Sequence, residues 1–232
     1  MEFVFHIGAH CTDADRLVTA LRKSEARLTE LAVAVPAPSD YRKTLRDVSL
    51  KLQGDDAGAA AQDVVLAAAL GEAEPDRVIF ANESFICIGG RALDDGVIYT
   101  KSHKSLWLRS MFPDDQVDFA LGIRNPATWI PAMFAEFGAR QTFAEHLGAT
   151  SPRSLLWSDY LARLLETNPG SRIITWCNED LPLIWPEVLR IVADLEDDEV
   201  MAGDTDVLKE IMRPEGLGKL NDYLVANPPA SA

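Results

Sequence analysis

The amino-acid sequence predicts an α/β fold of three layers, αβα, with a mostly parallel sheet of about five strands covered by helices on both faces. Three observations carry this. Five short apolar, β-rich runs alternate with longer runs of helical periodicity. The chain has 232 residues and 47% hydrophobic content, enough to bury one large core. No internal repeat or linker-like stretch divides it, so residues 1–226 are expected as one domain and 227–232 as a frayed C-terminal tail.

Each element has its own signal. Residues 3–7 form the first strand, and a helix from about Asp13 places Ala14, Leu17, Val18 and Leu21 on one face. Residues 31–35 are apolar and β-rich and are stopped by Pro36 and Pro38, which makes them the second strand. Ser39 and Asp40 are the expected caps of a helix over 41–52. Residues 54–58 are a Gly and Asp loop, and 59–70 an Ala-rich helix. The third strand is 78–81, followed by an irregular stretch over 86–100 with turn signals at Gly89-Gly90 and Asp94-Asp95-Gly96. A helix over 102–111 precedes the fourth strand, 117–123. Thr128 is the expected cap of a helix over 129–140, with Pro131 in its first turn. A helix over 155–166 ends at Asn168-Pro169-Gly170, and 172–176 is the fifth strand. Helices near 185–195, 207–212 and 217–225 finish the chain.

The 36 acidic residues outnumber 22 basic ones, for a net charge of −14. That balance speaks against non-specific nucleic-acid binding, which needs a cationic footprint, and against docking on an anionic membrane. Its plainest role is solubility. No basic segment followed by an apolar run opens the chain, and no apolar stretch reaches membrane-spanning length, so a cytoplasmic location is expected. Cys11, Cys87 and Cys177 are odd in number and far apart, forming neither a disulfide framework nor a metal-binding pair. A small-molecule or anionic ligand is the expected partner, and the oligomeric state is left open.

Ligands of parallel α/β sheets bind beyond the carboxyl ends of the strands. Those positions hold Gly8, Ala9, His10, Cys11 and Thr12 after the first strand and Asn82-Glu83-Ser84 after the third. Arg124-Asn125-Pro126 follows the fourth, and Cys177-Asn178-Glu179-Asp180 the fifth. A strand, a short Gly-containing loop and a helix suit anion binding, because loop amides and the helix N-terminus converge on one point. This loop nevertheless carries Cys11, Asp13 and Asp15.

The segment FHIGAHCTDADRLVTAL (5–21) resembles the opening of bacterial sulfotransferases of the P-loop superfamily. FALGIRNPATWIPAMFAEF (119–137) is similar to that family's second nucleotide motif, with fainter likenesses in VIFANESF (78–85) and ITWCNEDLP (174–182). The likeness runs over about residues 1–185 and implies a P-loop nucleotide-hydrolase-like fold. It implies sulfonate transfer from 3′-phosphoadenosine 5′-phosphosulfate (PAPS) to a hydroxyl or amine. By the same likeness Gly8, Ala9, His10, Cys11 and Thr12 are the donor loop, Arg124 the 3′-phosphate ligand, and Glu83 or His103 the general base. Cys11 stands where the family has its Lys, Asp13 where it has Gly, and Ala14 and Asp15 where it has a hydroxyl pair. Ala132, eight residues after Arg124, stands where it has Ser.

Each residue also has a plainer reading. Arg124 is either an anion ligand or an ion-pair partner of Glu179 or Glu83. Asp13 and Asp15 are candidates to turn outward as cap and first-turn acids. His6 and His10 straddle a strand end, where packing and loop hydrogen bonds explain them better than a metal does. Cys11, beside two Asp, is poorly placed to ionise. Glu83 suits either a base or a structural acceptor. Lys101-Ser102-His103-Lys104, with Arg109, is the densest basic patch in the chain, either a receptor for an anion or a solvated helix start. Trp129, Met133, Phe134 and Phe137 have core spacing. Two functions follow: a sulfotransferase-like enzyme with an altered donor loop, or a non-catalytic binding or interaction module of that fold. No G-x-x-x-x-G-K-[ST] and no G-x-G-x-x-G sequence supports an NTPase or a dinucleotide oxidoreductase.

Overall fold

The computed structural model describes residues 1–13, 15–139, 141–148 and 150–227. Ala14, the last residue (Arg140) of the helix expected over 129–140, Ala149 and all but the first residue of the expected tail lie outside them. The strands are β1 (Glu2–His6), β2 (Val33–Ala34), β3 (Arg77–Ala81), β4 (Leu93–Asp94), β5 (Val97–Ile98), β6 (Gln116–Ile123) and β7 (Ile173–Cys177). The helices are α1 (Arg16–Arg22), α2 (Glu25–Glu30), α3 (Pro38–Leu52), α4 (Ala59–Leu70), α5 (Ser105–Arg109) and α6 (Pro126–Phe137). They continue as α7 (Phe143–Leu147), α8 (Trp157–Thr167), α9 (Leu181–Ala193), α10 (Asp206–Ile211) and α11 (Pro214–Ala226).

Five strands make one sheet in the order β2-β3-β1-β6-β7, every pair parallel. This is the predicted α/β architecture, a five-strand parallel sheet flanked by helices. β1 lies in the middle: the chain first builds outward through β2 and β3, then crosses to β6 and β7 on the other side. The order reverses at β1, so the loop that follows β1 sits in the crevice where such sheets accept ligands.

Alternation along the strands divides the core between the two faces. Phe3, Phe5, Ile7, Phe80, Phe119 and Leu121 point to one side and pack with Tyr41, Leu45, Leu108, Phe112, Trp129 and Tyr160. Val4, Ile79, Ala81 and Ala120 point to the other, under Leu17, Leu21, Trp176, Trp185, Leu189 and Val192. His6 shares the second face and is buried.

Several local expectations are corrected. α3 starts at Pro38 rather than after Ser39-Asp40, because a Pro in the first turn gives up no hydrogen bond, and no side chain caps it. α6 likewise starts at Pro126, capped by Asn125, whose side chain accepts from the Ala127 amide. Thr128 is therefore not the cap, and Pro131 falls inside the helix, past its first turn. The stretch over 86–100 holds a 3₁₀ turn (Gly89–Arg91) and the hairpin β4-β5. Asp95 (φ 48°) and Gly96 (φ 76°) close that hairpin, as its tight turn requires. The expected helix over 102–111 is a 3₁₀ turn (Ser102–Lys104) running into the short α5. α2 and α7 were not expected. Among the described residues no helix is long and apolar enough to cross a membrane.

Candidate functional site: the loop after β1

The loop leaves β1 still joined to β6. The Gly122 amide donates to the Gly8 carbonyl at 2.8 Å, and the Ala9 amide to the Gly122 carbonyl at 3.0 Å. Gly8 takes a φ of 111°, which an L side chain rarely adopts, and so directs the chain under Glu83. Gly122 gives the loop close room: a Cβ there would lie 3.1 Å from Trp176 Nε1 and 3.3 Å from Thr12 Oγ1, so those side chains would have to give by a few tenths of an ångström. The loop therefore packs closely against a glycine in β6.

From there the loop's polar groups are taken up inside the protein. The His10 amide donates to the Tyr99 hydroxyl at 2.9 Å, and the same hydroxyl lies 2.8 Å from His10 Nδ1. Trp129 Nε1 donates to the His10 carbonyl at 2.9 Å. Arg124 donates to the Cys11 carbonyl at 2.7 Å and to Thr128 Oγ1 at 3.2 Å. Thr12 Oγ1 donates to the Ala9 carbonyl at 2.6 Å and lies 3.1 Å from Asp13 Oδ1.

The two loop acids separate. Asp13 is 2% exposed and turns inward, with Oδ1 3.3 Å from Nε2 of buried His6, though without the alignment of a hydrogen bond. His6 stacks on Trp176 at 5.7 Å. Asp15 occupies the cap position of α1 but makes no cap bond; it pairs with Arg42, whose Nη1 reaches Oδ2 at 3.2 Å. Of the two acids that were candidates to turn outward, Asp15 does so and Asp13 does not: its carboxyl lies beneath the loop.

What faces outward is a shallow groove of about 500 Å³ lined by Cys11, Thr12, Glu83, Arg124, Ala132, Ala135 and Glu136. Cys11 Sγ donates to Glu136 Oε2 at 3.2 Å. Burial first, then the hydrogen bond and charge of Glu136 and the charge of Glu83, push this thiol up to about 12, against the opposing pull of Arg124. Burial and the neighbouring Glu136, Asp15 and Asp13 raise the Glu83 carboxyl, with Arg42 opposing. Burial also lowers His10 to about 4, so its ring is neutral at ordinary pH. The groove therefore offers two carboxyl groups, a protonated thiol and one guanidinium already bonded to the loop.

Glu83, Arg124, Cys11 and Thr12, read from separate strand ends, are brought together here. Gly8, Ala9 and His10 lie beneath the surface, and all three are buried. His103 is exposed on the 3₁₀ turn before α5 and is not among the groove's lining residues. Arg124 has no carboxylate within salt-bridge range among the described residues; Glu179 instead accepts from the Asn125 amide at 2.9 Å and from Thr128 at 3.2 Å. Glu136, Tyr99 and the inward Asp13 were missed from sequence. Glu136 alone had a signal, since it lies one helical turn beyond Ala132 on the same face.

No protein-family model and no curated protein matches the chain. Among solved structures it is similar to a sulfotransferase from Alicyclobacillus acidocaldarius, at 13% identity and a TM-score of 0.45, over 96% of this chain and 91% of that one. A likeness of that size assigns no residue a role.

Proposed function

We propose that this protein acts by binding rather than by sulfonate transfer, as a sulfotransferase-like fold whose donor loop is closed on itself. One observation carries the reading: the loop is held from within, with the Ala9 and His10 amides donating to the Gly122 carbonyl and the Tyr99 hydroxyl and the Asp13 carboxyl buried beneath it. PAPS, the donor implied by the sequence resemblance, does not fit the residues present. Its phosphates would face the Glu83 and Glu136 carboxyls that line the groove, with Arg124 the groove's cation. A Lys exchanged for Cys11 forfeits about 1.5–3 kcal/mol of charge-assisted hydrogen bonding. One carboxylate about 5 Å from a phosphate charge costs on the order of 3 kcal/mol at an effective dielectric near 20. Together these weaken binding by roughly a thousandfold or more.

A second reading, sulfonate transfer with Glu83 as general base, is favoured by the joint placement of Glu83 and Arg124 in one groove. His103 is the less suitable base because it is exposed and outside that lining. Titration calorimetry with adenosine 3′,5′-bisphosphate separates the two readings. The binding reading expects no heat at millimolar nucleotide. Micromolar affinity that disappears in Arg124→Ala would overturn it and select the transferase.

A further inference from the structure

A second cavity, of about 310 Å³, opens between α3, the segment after β3 and α5. Its walls include buried Leu45, Ile86, Cys87 and Leu108, with Trp107 closing one side. Trp107 is set against the loop after α3, where a Cβ on Gly54 would meet Trp107 Cδ1 at 3.0 Å. The size lies at the lower end of pockets that hold small organic ligands, about 300–1,000 Å³.

The two charged groups that line this cavity are both cations. Arg46 and Lys104 line it, and neither is in an ion pair with a carboxylate among the described residues. Lys104 lies 4.9 Å over the Trp107 ring, which lays its stem along the mouth of the cavity. Ser49 also lines the cavity; it is 7% exposed, and its Oγ is buried with no hydrogen-bond partner. A buried hydroxyl without a partner is unfavourable unless something supplies one.

Ser84 adds a donor. The Tyr99 hydroxyl accepts the His10 amide, so its single proton is left for His10 Nδ1. Nε2 then carries the ring hydrogen and faces Ser84 Oγ at 3.4 Å. Ser84 accepts there, and its own proton is free for an acceptor in the cavity it lines. Two cations and the Ser84 hydroxyl thus line an apolar chamber.

We propose that this cavity binds a small organic anion: an apolar aromatic or aliphatic body with one carboxylate-like group held by Arg46, Lys104 and Ser84. The site is distinct from the loop groove and stands whether or not the loop takes a nucleotide. It also gives the basic patch at 101–104 an occupant, through Lys104 rather than His103. Calorimetry on the full chain with 1-naphthoate and with octanoate tests it. At least one acid is expected to bind with a dissociation constant below about 1 mM. The matching alcohol, 1-naphthalenemethanol or octanol, is expected to bind at least tenfold more weakly. The surface variant Arg46→Gln with Lys104→Gln, checked for an unchanged circular dichroism spectrum, is expected to lose at least tenfold for the acid and little for the alcohol. Three results would overturn the proposal: no heat from either acid at millimolar concentration, equal affinity for acid and alcohol, or an unaltered affinity in the double variant.

Discussion

The Tyr99 hydroxyl is joined to His10 twice, accepting from its amide at 2.9 Å and meeting Nδ1 at 2.8 Å. A phenol oxygen from the segment before α5 thus takes up a loop amide. The bond fixes the loop, sets the histidine tautomer and, through Nε2, orients Ser84 at the edge of the second cavity. The altered loop is therefore a packed structural element as well as a site.

The inward carboxyl of Asp13 makes the same point and can be tested by its cost. Asp13→Ala leaves His6 buried beside an empty space and is expected to destabilise the fold by about 1–3 kcal/mol. His6→Leu with Asp13→Ala is expected to be less destabilised than the two single changes summed, by more than 0.5 kcal/mol, a coupling typical of residues in contact. Urea denaturation of the four proteins measures this. Strict additivity would show that the two side chains do not support each other.

The sheet was legible because parallel strands, buried on both faces, read as short unbroken apolar runs. Their ends shifted by a residue or two; β2 shrank most, to Val33–Ala34. α7 carried a signal that went unread, the Thr142 and Glu145 capping box. α2 follows α1 after two residues and has one buried side chain, so periodicity could not separate it. Glu83, Arg124, Cys11 and Thr12 were readable as site neighbours because each sits at a strand end. Tyr99 was not, since no period fixes where a side chain points in an irregular stretch. The direction of Asp13 depended on His6, whose face was legible but whose partner was not.

Cys11 offers a chemical test of the groove. With the thiol raised to about 12, its thiolate is scarce at pH 8, and alkylation is expected to be far slower than at exposed Cys177. Glu136→Gln removes a hydrogen-bond acceptor and a negative charge from the thiol's surroundings. It is expected to lower the pH at which Cys11 reacts, while burial keeps that pH above the value of a free cysteine. Peptide mass spectrometry after timed iodoacetamide treatment over pH 7–11 reads both effects. Rapid labelling of Cys11 at pH 8 in the unaltered protein would contradict the half-buried thiol bonded to Glu136.

His10 sets the sign of an acid effect. Burial holds it at about 4 in the folded chain, below the ordinary 6.5, with Glu136 pulling the other way. Between those values the unfolded chain binds the proton and the folded one does not, so stability falls as the pH drops from 6.5 to 4. A shift of that size corresponds to about 3 kcal/mol. Glu83 works in the opposite direction: its carboxyl is raised by burial first, so the folded chain holds that proton more tightly and gains stability as pH falls toward the ordinary carboxylate value. Comparing each variant with the unaltered protein at several pH values separates the two. In His10→Gln the stability loss between pH 6.5 and 4 is expected to shrink. In Glu83→Gln the protein is expected to gain stability at neutral pH and to lose more of it on acidification. Parallel stability curves for His10→Gln and the unaltered protein would mean that His10 is not held neutral by the fold, and the Tyr99 bond would no longer account for its tautomer.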